Sequence, residues 1–459
     1  MRATQRFFHR VDHPLPLAMA IAALLGTGAA TCADAAVTHP VTSCDDSGPG
    51  TLRAVVAAAG NGDIVDFSAL QCQQSTISLQ SGIVVAQNDL TIVGNPDVVL
   101  IGKYDRVLDH TGAGTLTVAE VTIGGGSVTG SDVRGGCIAS AGKAVVYESR
   151  IDNCQAHATS GFAYGGAVYG RDGITVKYSQ VSGSRVSADA GYASGGAIGA
   201  GGSVVLRYST IAGNESIGTP GRGGGVFVIG NTAIDHSTIE GNRANSLAGG
   251  LLQAGSGVAS GLTMRSSTIS GNEALYVGGA QIQNTPNVRI ANSTIAFNHA
   301  TQGSAVAAGL HLNASPTSIM LTLQSTIVSN NFSPSGDLDL TQSANSGAAI
   351  TLDDTSAANL VRIPGAGALP ADTLSGQCPL LRPLRNNGGW TATHALASRS
   401  IAIDHGTNPL DDKQDQRGTA GDAALYPRVS NGVADIGAFE VNQADTVFAA
   451  GFEGCAQID

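Results

Sequence analysis

Residues 165–181 read GGAVYGRDGITVKYSQV, and 30 residues later residues 195–211 read GGAIGAGGSVVLRYSTI. Both stretches open on a glycine pair, continue through short apolar runs and end on a serine phrase that closes with a β-branched residue. The glycine pair recurs along the chain at Gly135-Gly136, Gly165-Gly166, Gly195-Gly196, Gly224-Gly225, Gly249-Gly250 and Gly278-Gly279. Self-similarity at a period of about 30 residues is the signature of a stacked array of repeats.

The serine phrase follows the same period. It occurs as Ser149-Arg150-Ile151, Ser179-Gln180-Val181, Ser209-Thr210-Ile211, Ser237-Thr238-Ile239, Ser267-Thr268-Ile269, Ser293-Thr294-Ile295 and Ser325-Thr326-Ile327. The apolar runs between the phrases are too short and too frequent for βαβ units. We therefore predict an all-β fold, a right-handed parallel β-helix with three short strands per coil, in which each strand pairs with its copy about 4.8 Å away.

A polar residue also recurs at the corner after each serine phrase. The fifth position after the serine is asparagine in five of the seven units, at Asn214, Asn242, Asn272, Asn298 and Asn330. Stacked asparagine amides can hydrogen-bond to one another and to the turn backbone. We interpret these residues as a structural ladder rather than a ligand-binding row.

The first residues are typical of a secretory signal. Arg2, Arg6 and Arg10 precede an apolar stretch at 15–30, and Ala33-Asp34-Ala35 fits a small-x-small cleavage site. We predict a signal peptide at 1–35, an N-terminal helical cap at 36–62, the β-helix at 63–375, a mixed C-terminal cap module at 376–441 and a tail at 442–459. The mature chain is then secreted or at the cell surface, with no membrane-spanning segment.

The charge and the cysteine content of the chain limit the classes of partner and metal that it can bind. The net charge is −11, and charged residues are 13% of the chain, so the sequence argues against nucleic-acid binding. Six cysteines remain after residue 35, which in an exported chain suggests disulfides. Their order favours the pairs Cys44–Cys72, Cys137–Cys154 and Cys378–Cys455. No cysteine or histidine spacing indicates zinc.

One face of the repeat carries charge. The second position before the serine holds Lys177, Arg207, Asp235 and Arg265 in consecutive units, and the next position holds Tyr178, Tyr208 and His236. These seven residues are the candidate ligand-binding site, because stacked cations beside aromatic rings suit an acidic polysaccharide or cell-surface glycan. The alternative is an ordinary solvated face of a solenoid, because a fold alone does not confer function.

Other acidic residues provide weaker candidates. The densest central group is Asp337, Asp339, Asp353 and Asp354, and a similar group is Asp411, Asp412 and Asp415. Either group could hold Ca²⁺, but neither spacing has a full loop signature, and solvated loop acids are the favoured interpretation. No cofactor and no catalytic residue are predicted. Among His394, Asp404, Asp415, Arg417 and Asp435, we predict that Arg417 pairs with Asp404 or Asp435 and holds a cap over the open end of the stack.

The repeats resemble the parallel β-helix of secreted bacterial proteins, and the Gly-Gly and Ser-Thr-Ile units resemble polymorphic outer-membrane-protein-like repeats. The C-terminal region resembles the "choice-of-anchor Q" domain through 383–389 (PLRNNGG), 393–396 (THAL), 400–404 (SIAID), 415–418 (DQRG) and 435–440 (DIGAFE). The resemblance implies an exported surface protein and brings no common catalytic residues. The expected function is therefore non-catalytic adhesion or glycan contact. A polysaccharide lyase or glycoside hydrolase acting on an acidic polysaccharide is the alternative, and a passive stalk is a third. The oligomeric state stays open.

Overall fold

The computed structural model describes residues 35–442 and 445, except for 73–74, 256–259, 303–305, 335, 337, 354–357 and 419–425. The predicted signal peptide, most of the tail and Cys455 lie outside the described residues, so the Cys378–Cys455 pair stays a prediction. No helix long and apolar enough to cross a bilayer occurs in the described part of the chain.

The chain winds through three long parallel sheets, which confirms the predicted parallel β-helix. Sheet 1 contains Thr38–Pro40, Ile64–Asp66, Leu90–Val93, Thr115–Ala119, Lys143–Tyr147, Gly173–Lys177, Ser203–Arg207, Thr232–Asp235, Gly261–Arg265, Asn287–Ala291, Ile319–Gln324 and Ile350–Leu352. Sheet 2 contains Thr76–Leu79, Val99–Gly102, Thr122–Gly124, Arg150–Asp152, Gln180–Ser182, Thr210–Ala212, Thr238–Glu240, Thr268–Ser270, Thr294–Ala296, Ile327–Ser329, Leu360–Val361 and Leu374–Ser375. Sheet 3 contains Ile83–Val85, Leu108–His110, Ile138–Ser140, Val168–Gly170, Ile198–Ala200, Val226–Val228, Leu251–Ala254, Ala280–Gln283, Leu310–Ala314 and Leu340–Ala344.

The middle coils are larger than the three strands expected from sequence, because an arm is inserted between sheets 2 and 3. Sheet 4 of this arm contains Ser127–Gly130, Gln155–Ala158, Arg185–Ala188, Glu215–Ile217, Arg243–Ala244, Glu273–Ala274 and His299–Ala300. Sheet 5 contains Val133–Arg134, Ala163–Tyr164, Ala193–Ser194 and Gly221–Arg222. The arm has a small core of its own, made largely of alanine side chains.

The glycine pair that precedes each sheet 3 strand has two structural roles, as Gly165 and Gly166 illustrate. Gly165 has a φ of +66°, which a residue with a Cβ adopts at a cost. The backbone of Gly166 lies so close to the next coil that an added Cβ would overlap the carbonyl oxygen of Gly196. In the pairs that begin at Gly135, Gly165 and Gly195, the first glycine therefore makes the turn and the second allows the coils to stack. In the next two coils the positive φ belongs to the preceding residue, Gly223 or Ala248.

Two polar ladders follow the serine phrase along the stack. In the first, the backbone N–H of each serine donates to the hydroxyl of the next, as from Ser209 to Ser237 at 3.1 Å. In the second, the asparagine side chains donate from coil to coil, as from Asn242 Nδ2 to Asn272 Oδ1 and from Asn272 Nδ2 to Asn298 Oδ1, both at 2.9 Å. The predicted structural ladder is therefore present.

The last member of the asparagine ladder differs from the prediction. Asn298 Nδ2 donates to Asn331, not to Asn330. The reason is a one-residue shift of register, since Thr294 pairs with Ile327 where the repeat would align it with Thr326. The preceding sheet 1 strands stay in register, with Ala291 opposite Gln324, so Thr326 rather than Ser325 takes the position of Ser293.

The asparagine ladder ends on a buried carboxyl group. Asn331 donates to Asp339 Oδ1 from its backbone N–H at 3.0 Å and from Nδ2 at 2.9 Å, and the N–H of Ile363 donates to Oδ2 at 2.9 Å. Burial raises the pKa of Asp339 to about 7, and these donors oppose the rise without cancelling it.

The raised pKa predicts a pH dependence of stability. The folded state binds the Asp339 proton more tightly than the unfolded chain, so this contribution is fully present below the ordinary pKa of 3.8 and is lost as pH rises through about 7. We expect the difference in urea midpoint between pH about 5 and about 8 to shrink in Asp339→Asn, which cannot ionise. An unchanged pH dependence in this variant would contradict the assignment.

The N-terminal end is closed by the helix Leu52–Ala58, in which Leu52 and Val56 are buried. Thr51 caps it by accepting the N–H of Ala54. The structure also contains two of the predicted disulfides, Cys44–Cys72 and Cys137–Cys154, with Cα–Cα distances of 6.3 and 5.5 Å.

The C-terminal module contacts the flank of the solenoid rather than its open end. Its first part is a hairpin with antiparallel bridges at Leu381–Leu396 and Arg385–Thr393. Side chains of sheet 2 bind it directly. Thr238 Oγ1 donates to the carbonyl of Ala392 at 2.8 Å, Ser270 Oγ lies 2.8 Å from His394 Nε2, and Thr294 Oγ1 accepts the N–H of Ala438 at 3.1 Å.

The outward residues of sheet 2 explain this docking. In the covered coils the first outward residue of each strand is a buried threonine, as at Thr238, Thr268 and Thr294, whereas the uncovered coil at Arg150–Asp152 carries an ion pair. Burial raises the pKa of Glu240, the second outward residue of its strand. Burial lowers the pKa of His394 to about 4, so this histidine enters the interface uncharged at neutral pH.

The module is held together by buried ion pairs, but the predicted partners of Arg417 are wrong. Arg417 pairs with Asp415 at 2.8 Å, with both side chains fully buried, and with Asp445 at 2.8 Å. Asp435 instead accepts the backbone N–H groups of Asp404 and Val441. Asp415 lies two residues before Arg417 in the same turn, so its carboxylate is already next to the guanidinium group.

Candidate functional site

The predicted charged stripe exists as a stacked column. Tyr147, Lys177, Arg207, Asp235 and Arg265 occupy successive strands of sheet 1 in direct register. Neighbouring side chains of the column are therefore one strand spacing, about 4.8 Å, apart at the backbone.

The residue after each member of the column makes the bend from sheet 1 to sheet 2. Glu148, Tyr178, Tyr208 and His236 have φ values of +44°, +51°, +49° and +49°, a left-handed conformation that is uncommon for residues other than glycine. The backbone N–H of each donates to the carbonyl of the next coil, as from Tyr178 to Arg207 at 3.0 Å. The column and these bend residues form a ridge that we call the corner.

The C-terminal module covers one half of the corner. Arg265 pairs with Asp412 at 2.9 Å, and an added Cβ on Gly418 would overlap the ring of Tyr208. Thr391 donates to the carbonyl of His236 at 3.2 Å, and His236 is 4% exposed. Four predicted ligand-binding residues therefore lie in or at the edge of an intramolecular interface: Tyr208, Asp235, His236 and Arg265.

Asp235 is the electrostatic centre of the covered half. It pairs with Arg207 at 3.1 Å and Arg265 at 3.0 Å, and it accepts from His236. Burial raises the pKa of Asp235, but the hydrogen bond and charge of His236 and then those of Arg265 outweigh burial and hold the pKa below its usual range. Asp235 is thus shared between Arg207 and Arg265, and Arg265 also has Asp412, so Arg207 shares its carboxylate partner.

The half of the corner that the module does not cover, which we call the open half, contains Lys177, Tyr178 and Arg207. The excess positive charge lies here, at Lys177 and Arg207. Lys177 forms no ion pair within the part of the chain that is described. Burial, followed by the charge of Arg207, lowers the pKa of the Lys177 ammonium group. The Arg207 side chain is 44% exposed. Two neighbouring cations that share less than one carboxylate are a site where an anion is stabilised.

Trp390 completes the open half from the side of the module. It lies at the tip of the hairpin, and its ring centroid is 5.1 Å from that of Tyr178, which stacks on Tyr208 at 5.1 Å with an angle of 4°. Sequence reasoning did not include Trp390 in the site because it is 212 positions beyond Tyr178. One signal was available, since it is the only tryptophan of the chain.

Two further carboxyl groups adjoin the open half. Glu120 and Glu148 occupy the bend position in neighbouring coils, with φ values of +53° and +44°. Burial, and then the charge of Glu148, raises the pKa of Glu120. Burial and a hydrogen bond to Glu148 also raise the pKa of Tyr147. Sequence reasoning missed both glutamates because the position aligns them with tyrosines.

The acidic groups considered for Ca²⁺ have separate partners where they are described. Asp353 accepts from Thr322, Asp411 pairs with exposed Lys413, and Asp412 and Asp415 pair with arginines, while Asp339 ends the ladder. Asp337 and Asp354 lie outside the described residues. Within the described residues, no three His, Cys, Asp or Glu side chains converge as a metal site.

Comparison with known proteins adds one distant structural likeness. No protein-family model matches the chain, and no curated protein matches it. Among solved structures, the chain is similar to the crystal structure of pectate lyase Pel9A, with 14% sequence identity and a TM-score of 0.44 over 89% of this chain and 98% of that chain. A likeness this distant carries no argument about function, and the fold described above rests on the strand pairing itself.

Proposed function

We propose that this chain is an exported β-helix protein that binds an acidic glycan, without cleaving it, at the open half of the corner. The observation that carries the proposal is the Lys177 ammonium group, which forms no ion pair with a carboxylate of the described residues and neighbours Arg207 in the column. The next residue, Tyr178, contacts the ring of Trp390. A carboxylate of the glycan would pair with the cations, and a sugar ring would pack on the aromatic faces.

Three features support export and surface display as part of this proposal. The signal-like first residues, the two disulfides and the resemblance of 383–440 to a choice-of-anchor Q domain all fit an oxidising, extracellular location. The stacked ladders make the solenoid a stiff support for a binding surface.

Substitution of Lys177 tests the proposal. We expect Lys177→Ala to weaken binding of trigalacturonate to residues 36–459 by about 10-fold or more, because one charge-assisted contact is worth about 1.5–3 kcal/mol. The emission of Trp390, whose ring contacts Tyr178 at the corner, measures the affinity of this site. Lys143→Ala is the matched control, since Lys143 is an exposed lysine of the neighbouring sheet 1 strand.

Equal losses in Lys177→Ala and Lys143→Ala would contradict a specific site, as would equal affinity for the uncharged trimer galactotriose. Either result would leave the corner as an ordinary solvated surface.

A second candidate function is hydrolysis of the bound glycan. The observation that favours it is the pair Glu120 and Glu148, whose backbones lie about one strand spacing apart and of which Glu120 has a raised pKa. Paired carboxyl groups with one raised pKa are what retaining glycosidases use. New reducing ends in the same titration samples, lost in Glu148→Gln, would replace the non-catalytic proposal.

A further inference from the structure

A second candidate surface lies at the edge of sheet 1 opposite the corner, where sheet 3 meets sheet 5. The outward row of sheet 3 places Asp109, Ala139 and Tyr169 in direct register. Because alanine is much smaller than its two neighbours, the row has a notch at Ala139. The sheet 5 strand that ends at Arg134 rises beside the notch, and Arg171 follows the strand that carries Tyr169. Together they enclose a depression of about 450 Å³, which is within the usual size of a small-ligand site.

Three arginines border this depression, and they have different roles. Arg106 is held in place, since Nε donates to the carbonyl of Gly135 at 2.8 Å and Nη1 pairs with Asp109 at 2.8 Å. Arg134 is exposed, lies 5.4 Å over the ring of Tyr169 and pairs with no carboxylate among the described residues. Arg171 is 58% exposed and contacts only the neighbouring Asp172. Arg134 and Arg171 are therefore available to a ligand.

The remaining polar groups of the depression are already engaged. His110 is buried, with Nδ1 2.7 Å from Ser140 Oγ and Nε2 2.9 Å from the carbonyl of Gln87. Asp132 accepts the backbone N–H of Phe162 at 2.7 Å. The lining therefore contains three arginines, Arg106, Arg134 and Arg171, against two aspartates, Asp109 and Asp132, which leaves one positive charge in a chain whose net charge is −11. This local positive charge selects an anionic ligand.

Aromatic side chains continue the surface along the stack. Tyr164 lies 6.4 Å from Tyr169 and 5.9 Å from Phe227. At the rim, Phe162 and Tyr192 stack at 5.5 Å and are 43% and 40% exposed. Phe227 is 5% exposed and packs with Ala248 and Leu252, with Tyr164 against it. The exposed aromatic rings beside the depression are therefore those of Phe162 and Tyr192.

We propose that this depression is a binding site for a carboxylate-bearing sugar unit of an acidic polysaccharide, separate from the corner. The sugar ring packs on Tyr169, and its carboxylate pairs with Arg134 and Arg171. The site does not depend on the corner, because the strand Gly173–Lys177, which lies between Arg171 and the Lys177 side chain, alone spans about 13 Å at ~3.3 Å per residue.

The test isolates this site by removing the other one. In a Lys177→Ala/Arg207→Ala background, trigalacturonate is titrated by isothermal calorimetry, with galactotriose as the uncharged probe. We expect measurable binding of the uronate trimer, a loss of about 10-fold or more on adding Arg134→Ala, and no change on adding Arg185→Ala, an exposed arginine of sheet 4.

A second pair of variants separates contact from folding. Tyr169→Phe keeps the ring and should retain the affinity, whereas Tyr169→Ala should lose it while the far-ultraviolet circular dichroism stays unchanged. Absence of uronate binding in the double-variant background would overturn this inference, as would equal binding of galactotriose or equal effects of Arg134→Ala and Arg185→Ala. The corner is judged independently, by the response of Trp390 in the unsubstituted chain.

Discussion

Asn272→Ala is expected to lower the free energy of unfolding by about 2–5 kcal/mol, because the substitution removes a fully buried link of the asparagine ladder. Asn272 Oδ1 accepts both the backbone N–H and Nδ2 of Asn242, and its Nδ2 donates to the carbonyl of Ile239. Without the amide, the N–H of Asn242 and the carbonyl of Ile239 lose these partners inside the solenoid. Each buried group left without a partner costs about 1–3 kcal/mol.

Asn330→Ala is the matched control for this prediction. The sequence repeat assigns Asn330 to the ladder, but the structure gives that role to Asn331. We therefore expect a cost of only about 1 kcal/mol for Asn330→Ala. Among the described residues its side chain only accepts from Ser329, and the rest of the cost is that alanine must take a φ of +60°. Urea unfolding followed by circular dichroism gives both values. If the two substitutions cost the same, the ladder does not carry the stability ascribed to it.

Arg417→Ala is expected to destabilise the C-terminal module by about 3–5 kcal/mol, the usual cost of leaving one partner of a buried ion pair alone. The guanidinium group also lies between the rings of Tyr426, at 4.2 Å, and Phe439, at 3.9 Å. Its removal therefore leaves both a cavity and the uncompensated charge of Asp415. The β-helix itself should stay folded, because the ladders and the apolar core of the coils do not involve Arg417.

Hydrogen exchange resolves the two parts of the molecule in this variant. We expect amide protection to fall across the module and to persist in sheets 1–3. Lys413→Ala is the control, because the Lys413–Asp411 pair is exposed and such pairs contribute little. Equal protection in the two variants would show that the buried pair does not hold the module on sheet 2.

The sequence predicts the solenoid because its signals are local. A glycine pair and a serine phrase within one coil are enough to define the turn and the strand, and the register of Lys177 with Arg207 follows from the period. The prediction fails at Asn330, because there the serine phrase lies one residue out of register with the strand pairing, and the composition of the repeat does not reveal such a shift.

The candidate site is harder to predict because it depends on contacts between distant parts of the chain. The stripe is visible as a column of charges, but nothing local indicates that Tyr208 and Arg265 contact the module or that Trp390 reaches Tyr178. The arginine-bordered depression is missed for a related reason. It arises where Ala139 lies beside Tyr169 in the next coil and Arg134 in another sheet, and none of these residues stands out in its own repeat.

The fluorescence of Trp390 gives the most direct test of the central claim, that an acidic glycan binds at the open half of the corner. Trp390 is the only tryptophan of the chain, so a titration of residues 36–459 with trigalacturonate reports on this site alone. We expect a saturable change in emission that disappears in Lys177→Ala and persists in Lys143→Ala. Emission that stays constant while calorimetry shows bound trigalacturonate would contradict it.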